Sequence, residues 1–126
     1  MAAAKKGTRI FKTRWFSKEA RKALMTDREL CKAIAEVLKG QADDLGGGVF
    51  KKRLNKNRHR GIILARGKRI WVYAYLFAKK DRDNIDSNEL AAFRDLAALY
   101  EAKSEEDSAK EWAAKELVEI CHEQKA

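Results

Sequence analysis

The 126-residue chain contains no proline, so it holds no proline-rich linker and no turn that depends on proline's fixed φ. It has only two cysteines, Cys31 and Cys121, which allow one bridge at most and lack the paired spacings of a zinc site. Both are expected to be ordinary reduced thiols on helical segments. Histidine is as scarce, with His59 and His122 alone. No apolar run approaches the ~18 residues that span a membrane, and the basic N-terminus lacks the apolar stretch of a secretion signal. A cytoplasmic protein is therefore expected, with no membrane partner, metal or cofactor.

Acidic residues are missing from one region in particular. Residues 51–82 hold 12 Lys/Arg against Asp81 alone, a local charge of +11 that exceeds the net +9 of the whole chain. Residues 1–50 carry +5 and residues 83–126 carry −7. A central block of this sign is the electrostatic footprint expected for a polyanion, with the acidic final third turned away from it or toward another basic surface. The 45% hydrophobic content recurs at ordered spacings and excludes wholesale disorder, so a single domain over residues 1–126 is expected.

Period-two alternation over Arg9–Phe16 predicts a strand, and Ser17 is placed to cap a short helix to about Leu24. Thr26 and Glu29 have capping-box spacing ahead of the stripe Leu30, Ala33, Ile34, Val37 and Leu38, with Gly40 positioned to end that helix. Asp43–Gly48 reads as an irregular interruption in which glycines supply backbone freedom. No GxxxxGK[ST] or GxGxxG pattern surrounds those glycines, which argues against a nucleotide-binding P-loop. Val49–Leu54, Gly61–Ala65 and Ile70–Phe77 then form a meander. In its last strand Trp71, Tyr73, Tyr75 and Phe77 alternate with Ile70, Val72, Ala74 and Leu76. That aromatic row could stack on nucleobases, and it equally suits a packed sheet; Trp15 and Phe16 read as core contacts. Asp86 and Glu89 repeat the capping-box spacing before a helix bearing Leu90, Phe93, Leu96, Ala97 and Tyr100. A further helix is predicted from about Ser104, with Ala109, Trp112, Ala113, Leu117 and Ile120 as its stripe. The fold class is α+β: a small antiparallel sheet with an N-terminal helical hairpin and C-terminal helices.

The candidate chemistry lies in Lys51, Lys52 and Arg53, then Arg58, His59 and Arg60, then Lys79, Lys80 and Arg82. Strand alternation lets Lys51 and Arg53 point together while Lys52 points the other way. His59 can exchange protons near neutral pH and is otherwise a polar loop residue.

Four stretches in this order, IFKTRWF at 10–16, ADDLGGGVFKKR at 42–53, RGIILAR at 60–66 and AYLFAKKDRDNI at 74–85, resemble the RelE/ParE superfamily of type II toxins, closest to its RelE- and HigB-like branch. The resemblance covers roughly residues 8–100 and leaves 101–126 as a C-terminal extension. It implies a small antiparallel sheet flanked by helices, a cognate antitoxin protein as partner, and ribosome-dependent cleavage of mRNA through attack by the RNA 2′-OH. Carried over by motif, Arg53 and Arg60 would stabilise phosphate charge, and Lys79 or Lys80 would orient the phosphate or shuttle a proton. Lys51, Lys52 and Arg82 would contact RNA, and Arg58 and His59, which no family motif carries, are expected to join them on the strength of their basic surroundings alone. A terminal Tyr or His directly after the last strand is missing, which leaves open a non-catalytic nucleic-acid-binding regulator or a topoisomerase-inhibiting toxin.

Overall fold

The computed structural model describes residues 8–67, 69–102 and 117–121. Strand β1 (Arg9–Thr13) ends three residues earlier than alternation predicts, because Thr13, its last residue, also caps α1 (Arg14–Lys22). Its hydroxyl accepts the Phe16 N–H at 3.0 Å, taking the role expected of Ser17. Phe16 and Ala20, one helical turn apart, are thereby turned into the core. Helix α2 (Asp27–Leu38) begins with the expected capping box: Thr26 Oγ1 accepts from the Glu29 N–H, and Glu29 Oε1 accepts from the Thr26 N–H. Its stripe Leu30, Ala33, Ile34 and Val37 is buried, and Leu38 lies at the exposed edge.

Residues 43–46, expected to be irregular, instead form strand β2 (Asp43–Gly46), paired antiparallel with β3 (Val49–Leu54). Gly46, Gly47 and Gly48 have φ of +87°, +65° and +85°, a left-handed turn that folds the chain back on itself and suits glycine. Strands β4 (His59–Arg66) and β5 (Ile70–Ala78) complete the meander. Helix α3 (Ser87–Ala102) opens with the predicted reciprocal pair, Asp86 and Glu89 exchanging two 2.8 Å bonds.

The sheet order is β2-β3-β4-β5-β1, ending in β6 (Leu117–Ile120). It is mixed, not purely antiparallel, because β1 runs parallel to β5. The long path through both N-terminal helices and β2–β4 permits this return in the same direction. Leu117 and Ile120, expected on a helix, belong to β6, which pairs with β1 and so covers what would otherwise be an edge strand. Arg9 reinforces that pairing with a two-pronged contact to Glu119 at 3.0 and 2.9 Å. Ala109, Trp112 and Ala113 of the expected helix lie outside the described residues. The cysteines also differ from expectation: Cys31 of α2 and Cys121, just beyond β6, are joined in a disulfide with their Cα atoms 5.6 Å apart. Packing of β6 beside α2 brings together two residues separated by 90 positions.

Both faces of the sheet are covered, which explains the near-continuous apolar runs of β4 and β5. One face, including Ile10, Leu54, Ile63, Trp71 and Tyr73, packs on α1 and α2. The other, including Phe11, Val49, Ile62, Leu64 and Val72, packs on α3. Tyr73 is fully buried, and its hydroxyl donates to the Leu30 carbonyl at 2.7 Å, tying β5 to α2. A bulge splits the anticipated aromatic face. Ile62 pairs with Tyr75 and Ile63 with Tyr73, leaving Ala74 as the extra residue. Trp71, Tyr73 and Leu76 consequently join the α1/α2 side, whereas Tyr75 and Phe77 join the α3 side. Gly61 admits close packing between β3 and α1: a Cβ there would come within 2.6 Å of Leu54 Cδ1. Among the described residues no helix is long and apolar enough to cross a membrane.

Candidate nucleic-acid interface

The antiparallel β3–β4 ladder places Arg53 directly opposite Arg60, and Lys51 opposite Ile62. Side-chain alternation puts Lys51, Arg53 and Arg60 on the face shared with Val49 and Ile62. Arg60 is steadied by backbone carbonyls, donating from Nη1 to Asn57 O at 3.2 Å and His59 O at 3.1 Å. Arg53 is exposed, and neither guanidinium makes an ion pair with a carboxylate among the described residues. Like charges directly across a ladder repel, so this pair weakens the sheet slightly unless an anion joins it.

Lys52 goes the other way, as alternation requires. It is 9% exposed, and its Nζ lies 2.7 Å from Glu36 Oε1 on α2. Its ammonium therefore ties the sheet to a helix and stands apart from the Arg53–Arg60 pair. The hydrogen bond from Lys52 is the main reason the Glu36 carboxyl is held below its usual range, against a smaller opposing effect of burial. That contribution is present above pH 4.5 and is lost as pH falls through the lowered value. The two halves of this pair are unequal, because Glu36 is the better solvated partner. Glu36→Leu, which strands a buried ammonium, is expected to cost about 1–3 kcal/mol in urea unfolding, and Lys52→Met clearly less. Equal or reversed costs would contradict this assignment.

The β3–β4 connection is built from Asn55, Lys56 and Asn57, all with positive φ of 54–70°. Asparagine tolerates that region, and the turn is held by its own side chains. Arg58 Nη2 donates to Asn55 Oδ1 at 3.2 Å, which directs the Asn55 amide nitrogen toward His59 Nδ1 at 3.1 Å. The relay assigns Nδ1 as acceptor and the proton of neutral His59 to Nε2. Burial lowers the His59 pKa, helped by Arg58 and Lys80 and opposed by Asp81. Neutral His59 consequently favours the fold at high pH. Its contribution fades as pH drops through 6.5 toward the lowered folded value. NMR titration is expected to give a midpoint below 6.5 that rises in Arg58→Ala; a wild-type midpoint at or above 6.5 would show that burial and the neighbouring cations do not depress it.

Backbone pairing carries this turn to the end of β5. His59 pairs with Ala78, and the Lys79 N–H donates to Arg58 O at 2.9 Å. Together they border an open cleft of about 900 Å³ whose polar wall includes Arg58, His59, Lys79 and Lys80. Lys22 of α1 and Lys56 of the turn belong to the same wall. Both escaped the sequence reading because Lys22 lies far from the central basic block and Lys56 has no patterned neighbour. Arg82 is committed elsewhere. Its Nη1 donates to Glu89 Oε2 at 3.2 Å, its Nε to Asn84 O at 2.9 Å, and its guanidinium lies 5.4 Å from the Phe77 ring centroid. The hydrogen bond to Glu89 chiefly raises the Arg82 pKa and lowers that of Glu89, fastening the loop after β5 to the start of α3.

The nine basic or histidine candidates thus separate into Lys51, Arg53 and Arg60 on one sheet face, with Lys51 Nζ 3.9 Å from Asp43 Oδ2 across the β2–β3 ladder, Arg58, His59, Lys79 and Lys80 around the cleft, and Lys52 and Arg82 in scaffold ion pairs. Among the described residues no group of three or more His, Cys, Asp or Glu side chains is placed to hold a metal ion. The arrangement can bind a chain of phosphates and offer donors to one of them. Arginine stays protonated, so any proton acceptor must be another group. A family model described as the RelE toxin of the RelE/RelB toxin–antitoxin system matches residues 8–120. No curated protein and no solved structure matches the chain.

Proposed function

The chain belongs to the RelE toxin family, and from that premise we propose that it is a ribosome-dependent mRNA endoribonuclease, restrained by a cognate antitoxin protein. The RNA 2′-OH gives up its proton to a general base and attacks the adjacent phosphodiester, the phosphorus passes through a five-coordinate dianionic arrangement, and the P–O5′ bond breaks to leave a 2′,3′-cyclic phosphate while a general acid protonates the departing 5′-oxygen. The observation that carries this reading is the Arg53–Arg60 pair, register partners across the β3–β4 ladder whose guanidiniums pair with no carboxylate among the described residues. Their mutual repulsion is relieved when a phosphate sits between them, and relieved most as negative charge builds on that phosphate.

Lys79 and Lys80 line the cleft at the end of β5, apart from the arginine pair, and there they orient a neighbouring phosphate or shuttle a proton. His59 presents an Nε2–H donor, while Lys51 and Arg58 track the RNA backbone. Mapping new mRNA 5′ ends during controlled expression tests the reading. Translation-dependent ends that vanish in folded Arg53→Ala/Arg60→Ala protein support it. Toxicity without new mRNA ends, accompanied by DNA damage, would reject it in favour of a topoisomerase target.

A further inference from the structure

We propose that Trp15 and Tyr75 form a stacking shelf for one nucleobase of single-stranded RNA at the mouth of the basic cleft, an inference that rests on the RNA reading above and deepens it. Trp15 stands in the first turn of α1 and is 45% exposed, although its neighbour Phe16 is completely buried. Its indole lies on the Tyr75 ring with centroids 5.1 Å apart and planes inclined by 20°. Tyr75 is in turn braced by Phe77 at 6.0 Å and Phe93 at 5.9 Å. The indole is therefore fixed from below by an aromatic stack while much of it faces solvent. An exposed flat ring backed in this way is pre-organised for another flat ring.

The position of the shelf identifies its occupant. A hollow of about 410 Å³ beside it is lined by Trp15, Tyr75, Lys22, His59, Asp81 and Arg82. It shares Lys22, Ala23, His59 and Ala78 with the larger cleft, so the two are continuous. Aromatic surface on one side and Arg58, Lys79 and Lys80 on the other match a strand whose bases stack while its phosphates lie among cations. A duplex keeps its base faces hidden, and a purely apolar peptide makes no use of the cations. Two carboxylates also reach the hollow. Glu19 is 3.4 Å from Lys22, and Asp81 is exposed near His59. Carboxylates repel phosphate and accept from exocyclic amino groups, which places the base on the shelf and its phosphates toward Lys79 and Lys80.

The test uses the full chain with 2′-O-methyl RNA hexamers, which cannot undergo attack by their own 2′-OH, and the same hexamers carrying one abasic position. Trp15→Leu keeps apolar bulk at the site and removes the ring, so it is expected to weaken hexamer binding about 5- to 100-fold, whereas Trp15→Phe retains most of it. In wild-type protein one abasic position should be especially damaging, and in Trp15→Leu that position should lose its special cost. Hexamer binding should also quench the fluorescence of wild-type protein and do so less in Trp15→Phe/Tyr75→Leu. Wild-type affinity in Trp15→Leu, with salt-sensitive binding still dependent on Lys79 and Lys80, would overturn the shelf and leave the RNA reading standing. No salt-sensitive binding by wild-type protein would overturn both. Fluorescence that responds to an antitoxin protein and never to RNA would make this surface a protein contact and defeat the proposal.

Discussion

Arg53→Ala/Arg60→Ala protein is expected to lose mRNA cleavage by at least ~100-fold while melting at the wild-type temperature or slightly above it. Removing one donor that stabilises a developing oxyanion typically costs ~10²–10³ in rate, and two guanidiniums serving one phosphate act as a unit whose separate losses do not add. The stability expectation runs in the opposite direction. Directly opposed in the β3–β4 ladder, the two cations repel in the ligand-free protein, so neutralising them should stabilise the sheet by about 0.2–1 kcal/mol. A scaffold residue predicts the reverse pairing: a loss of stability that drags activity down with it. Lys52→Met is the useful contrast, because Lys52 is paired with Glu36 on the other face of the same strand. It should unfold somewhat earlier and keep translation-dependent cleavage. Retained cleavage by the folded arginine double variant would remove both arginines from the chemistry, and a large drop in its melting temperature would assign them to the scaffold.

Cys31→Ser/Cys121→Ser protein is expected to be less stable than the oxidised wild type by about 4–5 kcal/mol, since the cross-link closes a 90-residue separation and constrains the unfolded chain accordingly. Incubating the wild type with dithiothreitol should reproduce the loss. The effect is concentrated at β6. Among the described residues this four-residue strand pairs in the sheet with β1 alone, reinforced by the Arg9–Glu119 contact, and the disulfide adds a covalent hold on α2. Hydrogen exchange at Leu117–Ile120 should therefore quicken more than exchange in β4 or β5, whose ladders lie in the middle of the sheet. Equal unfolding free energies for oxidised wild type and double-serine protein would show that the cross-link contributes nothing beyond the packing that brings the cysteines together.

Much of the molecule was legible along the chain because its signals are local. Both capping boxes, the apolar stripe of α2, the meander strands and the divergence of Lys52 from Lys51 and Arg53 each depend on spacings of a few residues, and each stands in the structure where those spacings place it. The family resemblance rested on the same kind of short ordered motif, and the family match extends it to residue 120.

Other features needed partners that the chain supplies from far away. One additional residue at Ala74 reverses the facing of Tyr75 and Phe77, and nothing in their alternation announces a bulge. Leu117–Ile120 becomes a strand because β1 offers it an open edge, a tertiary opportunity that overrides a helical pattern. Likewise, Cys31 and Cys121 are two unremarkable thiols until β6 reaches α2, and Lys22 joins the basic cleft only once α1 has packed beside the end of β5. The amino-acid order was sufficient for charge, caps and periodicity, which act within a turn or two of backbone. Which cations meet one another, which remain unpaired and which aromatic ring is left facing solvent are long-range matters, decided when the sheet closes and its faces are covered.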